Sequence, residues 1–136
     1  MITRFRAWDK RKSVMREVAV LHFTKGGKVN SIEYWKTPSE LKSYHVRNLV
    51  LMQSTGLKDK NGVEIFEGDV VAVENHPFQR KEDSSAGMEI EGDYVVGWNQ
   101  HDLTWCAGDL LLARLKPYVR VIGNIYQNSE LLEEQR

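Results

Sequence analysis

Apolar residues in this chain recur at every second position over most of its length, and Gly, Asn and Asp break the alternation at short intervals. Period two is the pattern of strands that bury one face, and frequent turn residues make those strands short and antiparallel. Near the N-terminus, Phe5 and Ala7 fall on one face while Arg4, Arg6 and Trp8 fall on the other. The charged residues 9–13 turn the chain. Residues 14–23 form a second strand, with Val18 and Val20 on one face and Ala19, Leu21 and Phe23 on the other, so it is expected to be largely buried. Gly26-Gly27 supplies the next tight turn, and residues 29–35 complete a meander.

Thr37-Pro38-Ser39-Glu40 changes the signal. Thr37 can cap a helix, Pro38 suits its first position and Glu40 can close a capping box, which predicts a short helix ending near Tyr44 or His45. A polar loop is the alternative. Residues 47–54 return to strand. Asn61-Gly62 predicts a type I′ hairpin turn, with Ile65 and Phe66 on the returning strand. Glu67-Gly68-Asp69 makes a second tight bend into the apolar run Val70-Val71-Ala72-Val73, and Asp69 is expected to hydrogen-bond backbone amides there. The polar stretch 75–92, with Pro77 and Gly87, reads as a long mobile loop available for function. Strands are expected over 94–98, 103–107 and 118–126. Residues 110–115 form a strand or one helical turn before Pro117, and residues 128–134 form a short capped helix.

A chain of 136 residues with 41% apolar content suits one domain, here with sub-lobes over about 1–55 and 56–136. No apolar run exceeds four residues, against the roughly 20 of a membrane-spanning helix. The N-terminus lacks the apolar stretch of a secretory signal, and the single Cys106 cannot form an internal disulfide. A cytoplasmic protein with no membrane association is expected. His22, His45, His76 and His101 have no metal-ligand spacing, and Cys106 beside Trp105 reads as a buried, inert thiol. Glu67 and Asp69 share a strand face, but nothing around them marks a cleft. Gly26-Gly27 lacks the Gly-Lys-Ser/Thr of a phosphate loop. No metal, cofactor or catalytic residue is assigned, and the expectation is a protein that is not an enzyme.

The zero net charge conceals a division. Residues 1–60 hold 13 Lys and Arg against 5 Asp and Glu, and residues 61–136 hold 6 against 14. The candidate contact residues for nucleic acid or another partner are Arg4, Arg6, Trp8, Lys10, Arg11, Lys12 and Arg16. Cations neutralise phosphates and release counterions, while an aromatic ring stacks on an unpaired base. Solvated strand edges also favour Lys and Arg, and opposite charge on the two halves also suits self-association.

Four segments in order carry a family resemblance: Phe5-Arg6-Ala7-Trp8-Asp9, residues 51–62, residues 65–70, and residues 121–128 with Ile122-Gly123-Asn124-Ile125-Tyr126 at their centre. Together they resemble the YopX family of phage and prophage proteins over nearly the whole chain. Ser54 stands where an aromatic is commoner, and Ser129 where Pro often begins the last helix. The resemblance implies a β-rich protein with an SH3-like barrel portion, and carries over no activity. The expected fold is therefore mainly β: an N-terminal antiparallel meander with a short helix, plus an SH3-like barrel-like C-terminal half. The expected function is that of a phage or prophage accessory protein, a non-enzymatic binding or oligomeric module whose partner is itself or another phage or host protein. A nucleic-acid-binding module using the basic N-terminal strands is the alternative.

Overall fold

Alternation at the N-terminus does produce a strand. β1 (Phe5–Asp9) pairs antiparallel with β2 (Val14–Phe23), Ala7 lying opposite Arg16 and Asp9 opposite Val14. The computed structural model describes residues 3–81 and 86–128, and the chain divides into two compact units, Met1–Ser54 and Thr55–Arg136. In the first, β3 (Val29–Thr37), β4 (Glu40–His45) and the start of β5 (Leu49–Lys58) complete an antiparallel sheet ordered β4-β3-β2-β1-β5. Its core is Ala7, Ile32, Tyr34 and Leu49, with Val18 and Leu21 packed against them. Val18 and Leu21 are three residues apart. A register shift between Val18 and Val20 in the β2–β3 pairing inserts an extra residue, so Leu21 takes the core side that strict alternation gave to Val20.

The helix expected after Thr37 is a strand. Pro38 and Ser39 form a two-residue turn, with Thr37 Oγ1 accepting the Ser39 N–H at 3.3 Å. Glu40–His45 then pairs along β3, Tyr44 opposite Ile32. Pairing satisfies the edge of β3 and brings the Tyr44 ring within 6.2 Å of Tyr34, which outweighs the local capping signal. The helical geometry described in this unit is a single 3-10 turn, Val46–Asn48, leading into β5.

In the second unit β5 continues beyond Ser54 and is hydrogen-bonded to β6 (Glu64–Phe66). A five-stranded antiparallel sheet follows, ordered β10 (Leu110–Leu111), β9 (Thr104–Ala107), β8 (Gly92–Asn99), β7 (Asp69–Val73) and β11 (Val119–Asn124). All five residues of β7 are buried, and Val71 and Val73 join Ile65, Val96, Leu112, Leu115 and Val119 in the core. Residues 110–115 are both strand and helix: β10 leads directly into the single turn α1 (Leu112–Leu115). Neither sheet closes on itself among the described strands: the mainly β character expected is present, and the SH3-like, barrel-like form expected of this unit is not shown by its open sheet. The described parts of 75–92 are cross-linked by a Gln79–Met88 bridge and by Gln79 Oε1, which accepts the N–H groups of Ile90 and Glu91. The C-terminal helix expected over 128–134 lies, apart from Asn128, outside the described residues.

The turns predicted at Asn61-Gly62 and Glu67-Gly68-Asp69 are both present, the first in a different form. Gly62 is left-handed at φ +82°, but Asn61 is not, and Gly62 N–H donates to the Asp59 carbonyl at 3.0 Å. Lys60 and Asn61 thus occupy an ordinary turn closed by the glycine, not a type I′ turn. Buried Asp59 selects this form: its Oδ1 accepts the Asn61 and Val63 N–H groups at 2.8 and 2.9 Å, and its Oδ2 accepts that of Val121 at 2.9 Å. At the second bend Gly68 has φ +84°, and buried Asp69 accepts the Phe66 N–H at 2.8 Å, the turn role expected of it.

Candidate nucleic-acid interface

The basic residues at the N-terminus are organised around a buried anion. Asp9 follows Phe5 and Ala7 on the core side of β1 and is fully buried. Its carbonyl accepts the Ser13 N–H at 2.8 Å, and its Oδ1 accepts the N–H groups of Arg11 and Lys12 at 3.0 and 3.2 Å. Oδ2 takes Nε and Nη2 of Arg16 at 3.3 and 3.2 Å, and the Tyr44 hydroxyl donates to Oδ1 at 3.4 Å. Burial pushes the Asp9 carboxyl up. The Lys12 N–H, the Arg16 guanidinium and the Arg11 N–H outweigh it and hold the group below its ordinary value.

This anchoring separates the seven candidate residues by role. Lys10, Arg11 and Lys12 are exposed on a turn whose backbone is pinned by Asp9 from beneath, and they form a run of three cations. Arg16 is half-buried, paired with Asp9, and lies 4.6 Å from the centre of the Tyr34 ring, where it serves the core. Arg4 is exposed and pairs with Glu17 at 3.5 Å. Arg6 and Trp8 are half-buried on the side of β1 opposite Ala7.

Trp35 was not singled out by sequence. It is 42% exposed, in the residue after core-facing Tyr34, and with Glu17, Lys36, Thr37 and Pro38 it lines a shallow groove. Its signal was there in the alternation Ile32, Tyr34 against Trp35. The unit Met1–Ser54 carries 11 Lys and Arg against 4 Asp and Glu, an excess of seven positive charges. Three of those four acids are already matched: Asp9 by Arg16, Glu17 by Arg4, and Glu33 by His22 at 2.8 Å. The exposed lysines and arginines therefore dominate the field of this unit.

In the second unit the acids hold structure. Three backbone N–H groups offset the burial that would raise Asp59, and its carboxyl lies below its ordinary value. The Arg120 guanidinium at 3.0 Å, with Lys60 nearby, lowers Glu74. Cys106 is a buried free thiol. Among the described residues no three His, Cys, Asp or Glu side chains gather as a metal site, and no helix is long and apolar enough to cross a membrane.

Comparison with known proteins agrees with this fold. The family model described as YopX protein matches residues 4–133. Among solved structures, the chain is similar to the crystal structure of protein EF1440 from Enterococcus faecalis. The two are 28% identical, with a TM-score of 0.67, over 97% of this chain and 99% of that one. No curated protein matches the chain.

Proposed function

We infer that this chain, which belongs to the YopX protein family, is a non-enzymatic accessory module of phage or prophage origin whose first unit binds a polyanion, single-stranded nucleic acid in particular. The observation that carries this reading is the turn at Lys10, Arg11 and Lys12, three exposed cations on a backbone fixed by a buried carboxylate. A fixed run of cations releases phosphate counterions on binding and loses little order in doing so. Trp35 beside Lys36 adds an exposed ring for stacking, which an unpaired base can use and a paired one cannot. Binding is preferred to catalysis because the buried carboxylates Asp9, Asp59 and Asp69 all hold backbone N–H groups.

The test is a fluorescence titration with an oligothymidine and with a duplex of equal length. The single strand is expected to bind more tightly, and Trp35→Ala to weaken it by about 1–3 kcal/mol, the worth of one stacked base, while leaving the duplex unchanged. Equal loss for both would remove stacking from the reading. A second reading, self-association, is favoured by the opposite charge of the units, since Thr55–Arg136 holds 8 Lys and Arg against 15 Asp and Glu. Light scattering separates the two: a salt-sensitive oligomer that takes no oligonucleotide supports the second and sinks the first.

A further inference from the structure

The second unit contains a groove that the first unit's charge does not explain. Its volume is about 400 Å³, and its lining includes His76, Phe78, Asp109, Leu111, Arg114 and Tyr118. Three rings adjoin one another through His76: Phe78 to His76 is 5.7 Å between centroids, and His76 to Tyr118 is 4.8 Å. Phe78 is 68% exposed and Leu111 40%, so two large apolar side chains stand open to solvent in one groove.

The polar groups in this groove are unequal in kind. His76 Nδ1 accepts the Phe78 N–H at 3.1 Å, which puts the proton of the neutral ring on Nε2. That Nε2–H, the Tyr118 hydroxyl and the Arg114 guanidinium have no hydrogen-bond partner among the described residues, and Asp109 forms no ion pair there. The groove thus offers several donors, one carboxylate and a strip of aromatic rings. The matching ligand is apolar, rich in free acceptors, poor in N–H groups, and carries a single cation.

We propose that this groove binds a proline-rich segment of a partner protein in the polyproline II conformation, with a basic residue of the segment meeting Asp109. Proline has no N–H, and the carbonyls of a polyproline II helix make no internal hydrogen bonds, so they are free for Arg114, His76 and Tyr118. The helix has three residues to a turn, so its proline rings can meet Phe78, His76 and Tyr118, which stand at steps of 5.7 and 4.8 Å. Its stiffness limits the entropy lost on docking against rings.

The experiment uses the full chain and a fluorescein-labelled oligoproline ending in one arginine, followed by anisotropy. A Gly/Ser peptide of equal length with the same arginine and an oligothymidine serve as comparisons. Oligoproline is expected to bind about tenfold more tightly than the Gly/Ser peptide, and Phe78→Ala to remove about that factor. Asp109→Asn should abolish the advantage of the terminal arginine over a terminal glutamate. Phe78 is mostly exposed, so its truncation leaves folding intact, which thermal unfolding checks. Equal affinity for the two peptides, or full oligoproline binding by Phe78→Ala, overturns the proposal. So does loss of oligothymidine binding in Phe78→Ala, which would give the groove to bases. Oligothymidine binding that survives in that variant keeps this proposal separate from the role of the first unit.

Discussion

Asp9 occupies a position that the strand pattern reserves for an apolar side chain. Counting from Phe5 and Ala7 it belongs to the core, and it is as buried as Ala7. In sequence it looks like the first residue of a charged turn, whose Arg11 and Lys12 N–H groups it does hold, while its side-chain partners Arg16 and Tyr44 lie 7 and 35 residues away. Local pattern cannot show such partners. Asp9→Asn is expected to cost about 2–4 kcal/mol in denaturant unfolding, since it leaves Arg16 without its counter-charge in a half-buried site. The pH dependence has a definite sign. With the folded carboxyl held below its ordinary value of 3.8, the unfolded chain binds the proton more readily. The stabilisation is complete above that value and is lost as pH falls through the lower, folded one. Stability of the native chain should therefore decline below about pH 4, and the Asn variant should decline less steeply. Equal slopes would show that folding leaves the Asp9 carboxyl at its ordinary value.

The hairpins show what short-range sequence can and cannot specify. Gly62, Gly68 and Asp69 were legible as turn residues because left-handed backbone and side-chain-to-amide bonding are local properties. The turn form at Asn61 was not, because Asp59 sets it with Oδ1 on the Asn61 and Val63 N–H groups while its Oδ2 is held by Val121, on a distant strand. Likewise β4 was hidden: five of its six residues are exposed, so it has no apolar alternation, and its reason for being a strand is the open edge of β3. The β8–β9 hairpin adds a strained element. Asn99 Oδ1 accepts the His101 and Asp102 N–H groups, both at 2.9 Å, and the turn ends at Leu103 with φ +52° and its side chain 66% exposed. A leucine in left-handed backbone costs on the order of 1 kcal/mol and here gains little by burial. Leu103→Asn should raise stability by about that amount in chemical denaturation. A loss instead would mean that the leucine packs more usefully than its exposure indicates.

For the whole molecule, zero net charge is a sum over two unlike units. The excess of Lys and Arg in the first was legible by counting, and so were Lys10, Arg11 and Lys12 as its densest run. Counting could not separate Arg16, which neutralises Asp9, from those three, which face solvent. Nor could it place His76, Phe78, Asp109 and Tyr118 around one groove, since they come together only when the second unit folds. The most direct measurement is the salt dependence of oligothymidine binding by the native chain and by a variant with Lys10→Glu, Arg11→Glu and Lys12→Glu. Log affinity should fall linearly with log salt, and the variant's slope should be shallower by about 2, three phosphate contacts at roughly 0.7 each. Unfolding of the variant should be unchanged, because all three side chains are exposed. An identical slope in the two proteins, or no binding by the native chain at low salt, would contradict polyanion binding through this turn.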